Sequence, residues 1–339
     1  MKVSVAILNW NGCKMMQKFL PSVCRDSIGI DGLDSEVVVA DNGSTDDSIS
    51  MLKSDYPQVR ILQFDKNYGF AEGYNKTLAA LDSEYVVLLN DDVQTSESWL
   101  LNLVKYMDDN PDVAACQPKI RSYSQPSKFE HAGACGGFID RFAYPFCRGR
   151  VMSSVEDDCG QYDSVTDVFW ATGAALMVRR RLFLDNGGLD AGFFAHMEEI
   201  DFCWRLRARG YRISCVPSSV VYHVGGGTLN TDNPRKTFLN FRNNLLMKYK
   251  NEVHSSFVLF VRFFLDYLAA FVFLAKLDFQ NFKAVLSARA QYHKMKSDYK
   301  HARKQNISLT VNRKISEVYN GSIVLDFFLK GRKFFADWR

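Results

Sequence analysis

Four runs of β-branched and apolar residues, at 3–8, 36–40, 59–64 and 85–89, alternate with segments of helical spacing at about 13–26, 46–54, 71–81 and 97–109. Strands that are apolar along their whole length are buried on both faces, and with helices between them they specify a parallel α/β sheet. Ligands of such sheets sit beyond the carboxyl ends of the strands. The residues that follow the four runs are Asn9-Trp10-Asn11, Asp41-Asn42-Gly43-Ser44, Asp65-Lys66-Asn67 and Asn90-Asp91-Asp92. Residues of these types end strands in any protein, because they suit turns and helix N-caps. Four polar loops converging on one sheet edge, three of them with carboxylates, nevertheless mark that edge as a candidate ligand site.

Composition narrows the field. A chain of 339 residues that is 47% hydrophobic and 24% charged has ample apolar material for a core, which excludes a disordered protein. The net charge of +4 gives no global argument for nucleic acid, and none is expected as a partner. Eight cysteines without a C-x-x-C pair signal neither a zinc ribbon nor a thioredoxin-like site. The first-strand loop, NWNG, holds only Gly12, so it is neither the G-x-G-x-x-G of a dinucleotide-binding dehydrogenase nor the basic, Gly-rich loop of a nucleotidyltransferase. The opening residues, MKVSVAILNWNG, read as a strand rather than a secretory segment, so the chain is expected to begin in the cytoplasm. Residues 111–190 read as a second half with short strands and Gly-rich loops, and 194–210 as a helix closed by Gly210.

Three acidic or basic features carry chemistry. Adjacent carboxylates such as Asp91 and Asp92 repel, and a divalent cation gripping a diphosphate would offset that cost. In the 194–210 helix, Glu199 shares a face with Phe202, Cys203 and Leu206, whereas Glu198 and Asp201 fall on a neighbouring face where Asp201 can pair with Arg205. An inward carboxylate at the first turn of a helix is a candidate general base, although acids also favour helix N-termini for dipole reasons. His223 ends an apolar run and precedes Gly225-Gly226-Gly227; a strand histidine of this kind is either a satisfied core residue or a ligand.

Taken in order, the motifs VAILNWNG, ADNGSTDDS, NYGFAEGYN, LLNDDV, TGAALMVRR with GGLD, HMEEIDFCWRLRARGY and VYHVGGGT make residues 3 to about 250 resemble the family 2 glycosyltransferases, in particular a bacterial rhamnosyltransferase-like branch. The resemblance implies a GT-A fold, a Rossmann-like mixed sheet flanked by helices. It makes 1–240 the catalytic domain, with a nucleotide-binding half to about 110 and an acceptor half from about 111. Asp41 would recognise the pyrimidine edge, with Asn9 and Asn11 lining the nucleotide pocket and Asn67, Gly69 and Asn75 also facing it. Asn90, Asp91 and Asp92 occupy the Asp-x-Asp position, with Asn90 in place of the first Asp. By the resemblance Asn90 and Asp91 would lie on the nucleotide, and Asp92 and His223 would hold a divalent metal, Mg²⁺ or Mn²⁺. Glu199 matches the catalytic base, one methylene longer than the usual Asp, with Asp201 as the substitute candidate. Trp170, Thr172 and Gly173 resemble the loop around the acceptor cleft.

The implied reaction is a single inverting displacement from a nucleotide-sugar donor, UDP- or dTDP-linked, to a hydroxyl of a glycan or lipid-linked acceptor in cell-surface polysaccharide synthesis. An inactive nucleotide-binding or membrane-scaffold protein that kept the fold is the alternative.

Residues 241–339 form a helical region, hydrophobic and then basic. In 256–275 some fifteen apolar residues at about −0.3 to −0.6 kcal/mol each oppose Arg262 and Asp266 at about +2.5 to +3.5, a sum near zero. Residues 276–339 hold 14 Lys+Arg against 5 Asp+Glu, or +9, which leaves 28 against 33, or −5, for 1–275. The expectation is peripheral attachment to the anionic cytoplasmic face of a bacterial inner membrane rather than a span. A helix packed on the catalytic domain, or on a second copy in a homodimer, is the other reading.

Overall fold

The computed structural model describes residues 1–131, 133–225, 233–253 and 256–338. The first half alternates as the periodicity requires: β1 (Val3–Asn9), α1 (Cys13–Ser27), β2 (Ser35–Asp41), α2 (Ser48–Asp55), β3 (Arg60–Gln63), α3 (Gly69–Ala79), β4 (Tyr85–Leu89), β5 (Val93–Thr95) and α4 (Trp99–Asp109). Then follow β6 (Val113–Ser122), β7 (Gly137–Asp140), β8 (Pro145–Cys147), β9 (Arg150–Val151), β10 (Ser154–Val155), β11 (Thr166–Asp167), β12 (Ala175–Arg179), α5 (Arg180–Asp185), α6 (Glu198–Ala208) and β13 (Arg212–His223). The chain closes with α7 (Pro234–Asn251), α8 (Ser256–Ala275), α9 (Phe279–Met295), α10 (Lys300–Ser308), β14 (Val318–Tyr319) and α11 (Ile323–Leu329).

The central sheet runs β11-β13-β6-β12-β4-β1-β2-β3, with β5 added to β13. Strands β1 to β4 are mutually parallel where they pair, while β12 runs antiparallel between β4 and β6, so the sheet is mixed. Alternate residues of each strand serve opposite cores. Val3, Val5 and Ile7 join Met16, Leu20, Trp99 and Leu103 beneath α1 and α4. Ala6, Val86 and Leu88 face Tyr74, Leu78, Phe202 and Leu206 on the other side. This two-sided burial is why the strands read as continuous apolar runs.

Beyond the central sheet, β10-β9-β8-β7-β14 form a small second sheet that a C-terminal strand completes. Phe335 packs its ring against Phe138, Phe146 and Tyr162, and Trp338 against Phe146 and Tyr319. The boundary expected at 240 falls inside α7, whose Leu245, Leu246 and Met247 belong to the same core as the sheet. Tyr292, Ile323 and Phe335 of the C-terminal region join that core as well.

The helix expected over 194–210 starts only at Glu198. Before it lie a 3₁₀ turn at Ala191–Phe193 and a loop in which Phe194, His196 and Met197 all take positive φ. The face assignment also changes: α6 is buried on nearly every side, with Glu198, Asp201 and Arg205 as deep as Phe202.

Helix α8 turns its two charges inward. Arg262 and Asp266 are buried and paired (2.9 Å), with Arg262 also donating to Phe142 O and Asn244 Oδ1 and Arg289 of α9 reaching Asp266. Its other side exposes Phe257, Phe260, Phe264, Leu268 and Phe271, a stripe at helical spacing. Among the described residues this one helix is long and apolar enough to cross a membrane by length and composition.

Candidate active site

Parallel register brings the loops after β1 and β2 together. Asn9 and Asp41 are register partners, both buried, and Asn9 Nδ2 donates to Asp41 Oδ1 (2.9 Å) and Ser44 Oγ (3.0 Å). Gly12 N donates back to Asn9 Oδ1 (3.1 Å), and Ser44 N donates to Asp41 Oδ2 (3.1 Å). Asn9 thus orients Asp41 rather than facing outward. Asn11, in a left-handed conformation, accepts from Thr45 N (2.8 Å) and ties the two loops together at the surface.

The loop after β4 meets this pair from below. A Cβ on Gly12 would stand 2.3 Å from Asp91 Oδ2, so the glycine leaves the space that the Asp91 carboxylate fills. Burial, reinforced by the Asp92 charge, pushes the Asp91 carboxyl up to about 7. Strand β5 pairs His223 of β13 with Val93, which sets His223 beside Asp92: Nε2 lies 3.0 Å from Asp92 Oδ1, and Asn90 Nδ2 lies 3.3 Å from the same nitrogen. Glu130, which the sequence motifs did not single out, faces the other ring nitrogen at 3.4 Å. Burial alone would lower the imidazole, but Asp92 and Glu130 push it up to about 10. This is an electronegative pocket that favours a cation. Of the glycines after His223, Gly225 is described; Gly226 and Gly227 lie outside the described residues.

Among the described residues no three His, Cys, Asp or Glu side chains are spaced to hold a metal unaided. Asp92 and His223 do fit as two of its ligands. Neighbouring ligands at about 2.1 Å from a six-coordinate ion stand about 3 Å apart, which is their separation, and a carboxylate with an imidazole suits Mn²⁺ or Mg²⁺. A diphosphate would complete the set.

The acids of α6 separate into two kinds. Asp201 is fully buried, accepting from Arg205 Nε (3.1 Å), Lys250 Nζ (2.9 Å) and Asn251 Nδ2 (2.8 Å). Burial would raise its carboxyl, but Lys250 and Arg205 hold it below the usual range. Both oxygens are thus engaged by cations and an amide, and Asp201 anchors α6 to α7. Glu199 is half-buried, its Oε2 has no hydrogen-bond partner, and burial pushes its carboxyl up to about 7. Its Cβ lies 3.9 Å from where a Cβ of Gly173 would stand. The next residue, Ala174, accepts from Asn90 N (3.0 Å), so the Glu199 wall adjoins the Asp92–His223 pair. Burial and the charge of Glu199 push Glu198 well above its ordinary range.

Asn243 of α7, also missed by the sequence reading, holds the strained approach to Glu199. Its single amide nitrogen donates to Phe193 O (3.0 Å), Ala195 O (2.9 Å) and His196 O (2.7 Å). The signal was an Asn243-Asn244 pair inside an otherwise core-forming helix.

Four expected site residues make contacts that hold the fold together. Asn75 clamps Leu189 through both N–H and C=O (2.8 Å each), which consumes its amide. Gly69, at φ +76°, makes room for Phe194, whose ring would lie 2.7 Å from an added Cβ. Trp170 is buried over Gly137 and donates Nε1–H to Phe138 O (2.9 Å), tying the two sheets together rather than lining a cleft. Thr172 is also buried, donating N–H to Gln117 and accepting from Ala174. Asn67 stays near the edge, accepting from Gly69 N (2.7 Å) and from Asn42 Nδ2 (3.2 Å); buried Asn42 knits this loop to the one after β2.

A mixed sheet of this strand order, flanked by helices on both faces, is the GT-A glycosyltransferase fold. Comparison with known proteins agrees. The profile of glycosyl transferase family 2 matches residues 4–162, and that of glycosyl transferase family group 2 matches 85–275, more than half of the chain. The chain belongs to the family 2 glycosyltransferases, in their rhamnosyltransferase-like branch. It is 29% identical over 201 residues to the N-acetylglucosaminyl-diphospho-decaprenol L-rhamnosyltransferase of Mycobacterium tuberculosis, a match covering 55% of this chain and 66% of that one, just under two thirds of the relative's length. Among solved structures it is similar in fold to GalNAc-T7 with UDP, GalNAc and Mn²⁺ (TM-score 0.57, 14% identity, 75% of this chain and 48% of that one). It is likewise similar to S. aureus TarS with UDP-GlcNAc (TM-score 0.55, 15% identity, 91% and 89%).

Proposed function

We propose that this chain transfers a hexosyl or deoxyhexosyl group from a nucleotide-sugar donor to a hydroxyl of a glycan or lipid-linked glycan during cell-surface polysaccharide synthesis. The observation that carries the reading is the Glu199 carboxylate, whose Oε2 is buried without a hydrogen-bond partner, on a helix beside Gly173 and next to the sheet edge that holds Asp41 and the Asp92–His223 pair. Two of the similar proteins are named rhamnosyltransferases, one of them an N-acetylglucosaminyl-diphospho-decaprenol L-rhamnosyltransferase.

In this account Asp41, fixed by Asn9 and Ser44, meets the base edge of the donor. Asn90 and Asp91 line the ribose and phosphate path. Asp92 and His223 would hold a divalent cation, which when bound neutralises charge on the departing nucleoside diphosphate. Glu199 takes the proton of the acceptor hydroxyl as its oxygen bonds to the anomeric carbon and the bond to the diphosphate breaks, inverting that carbon.

The membrane reading rests on α8. Because Arg262 and Asp266 are paired inside the protein, they do not oppose insertion, and the face left outside is the apolar stripe Phe257, Phe260, Phe264, Leu268 and Phe271. A helix packed lengthwise on the fold lies in the plane of the interface, with the basic tail toward anionic lipid, which suits the cytoplasmic face of a bacterial inner membrane.

Incubation with Mn²⁺ and a panel of UDP-, dTDP- and GDP-sugars tests the activity. Release of nucleoside diphosphate from one donor is the expected result, and silence with every donor favours a scaffold that kept the fold.

A further inference from the structure

We infer that Glu130 is a positioning residue for the cation site, fixing the His223 ring so that Nε2 is presented beside Asp92. The inference rests on the proposal that Asp92 and His223 take up a divalent ion. Glu130 lies outside the motifs that carry the family resemblance, and it belongs to the link between β6 and β7.

The backbone sets Glu130 in place. Its N–H donates to Ile120 O (3.0 Å), Arg121 and Phe129 form an isolated bridge, and Ser122 of β6 is the register partner of His223. The carboxylate is therefore delivered to the side of the imidazole away from Asp92, with Oε2 at 3.4 Å from Nδ1, within ion-pair range though not aligned as a hydrogen bond, and Nδ1 has no other hydrogen-bond partner. Gly225 leaves the room it needs, since a Cβ there would stand 2.5 Å from Glu130 Oε1. Glu130, His223 and Asp92 are all nearly inaccessible to solvent, so no water competes for the ring.

A histidine can give a metal only one nitrogen, and the other must carry the proton. A carboxylate at Nδ1 keeps the proton there, leaves the Nε2 lone pair for the ion, and stops the ring rotating out of register. Partners of this kind change metal affinity by about 10- to 100-fold when removed. The row Glu130, His223, Asp92 thus spans the pocket, with the first member setting the orientation of the second.

The test is Mn²⁺ titration into the full chain with UDP present, followed by the electron paramagnetic resonance signal of free Mn²⁺. The melting temperature in EDTA is measured alongside. Glu130→Gln keeps the shape and removes the charge. The expected result is Mn²⁺ affinity weaker by tenfold or more, with melting in EDTA unchanged. Glu130→Asp, which keeps the charge but retracts it, is expected to fall between the two and serves if the Gln variant does not fold. Wild-type affinity in either variant overturns the proposal, as does a loss of affinity that merely follows a fall in EDTA melting temperature. Failure of the wild-type chain itself to take up Mn²⁺ overturns the cation reading, a result distinct from the others.

Discussion

Lys250 Nζ lies 2.9 Å from Asp201 Oδ2, joining α7 to the acidic end of α6 in a fully buried ion pair. The same carboxylate binds Arg205, and Lys250 also pairs with Asp190, so two acids and two cations share this cluster, while Glu198 and Glu199 each keep a buried Oε2 without a hydrogen-bond partner. Removing one partner of a buried pair leaves the other charges uncompensated. Asp201→Asn should therefore cost about 3 kcal/mol or more of stability in urea unfolding. Unchanged stability would return Asp201 to the list of candidate bases.

Glu199 carries a pH signature. Burial raises its carboxyl to about 7 in the folded chain, above the ordinary value of 4.5, so the native state binds the extra proton between those values. Stability that this group contributes is present at low pH and is lost as pH rises through about 7. Glu199→Gln should accordingly melt above wild type at pH 8, with the difference closing toward pH 4.5. Turnover has the opposite dependence, because the base form appears above about 7. Calorimetry and a kcat profile from pH 5.5 to 8.5 check the two halves separately.

Asn243→Ala removes the amide whose two N–H donors are shared among the three carbonyls that lead into Glu199. Small displacements of a catalytic group cost up to about 100-fold in rate. The expected outcome is a lower kcat with the donor KM unchanged, because the donor side of the site is built from β1, β2 and β4. A rise in donor KM alone would contradict this placement.

The α8 stripe predicts how the chain meets lipid. Phe260→Glu with Phe264→Glu and Phe271→Glu should abolish flotation with anionic vesicles and leave secondary structure intact, since all three side chains are exposed. Arg262→Leu should instead destabilise the fold, because it strands the buried Asp266 against Arg289 alone. Co-flotation of the triple variant at wild-type levels would place the contact elsewhere.

Much of the fold was legible because buried parallel strands announce themselves: the first four runs coincide with β1 to β4, and the polar ends of β1, β2 and β4 meet at one edge. The pairing of Asp201 with Arg205 was legible too, as an i,i+4 spacing, but its burial was not. What stayed hidden depended on distant backbone. Asn75 reads as a loop-facing amide, yet both its bonds go to Leu189, and Trp170 reads as a cleft residue, yet its indole N–H is satisfied across the second sheet. Glu130, Asn243 and Lys250 were missed for the converse reason. Each is a polar residue in a segment of unremarkable pattern, and only the tertiary fold brings it to His223, to the loop before α6, or to Asp201. The charges of α8 were counted against insertion because a linear sum of transfer energies has no inside or outside face.

The central claim is that Glu199 acts as base beside a cation held by Asp92 and His223. It is tested most directly by nucleoside diphosphate release from the productive donor, with Mn²⁺ and an acceptor glycan, in the wild-type chain and in Glu199→Gln. The predicted result is a fall in turnover of about 100-fold or more with UDP or dTDP affinity unchanged, the range expected for loss of a general base. Undiminished turnover in Glu199→Gln would contradict the account and move the base elsewhere.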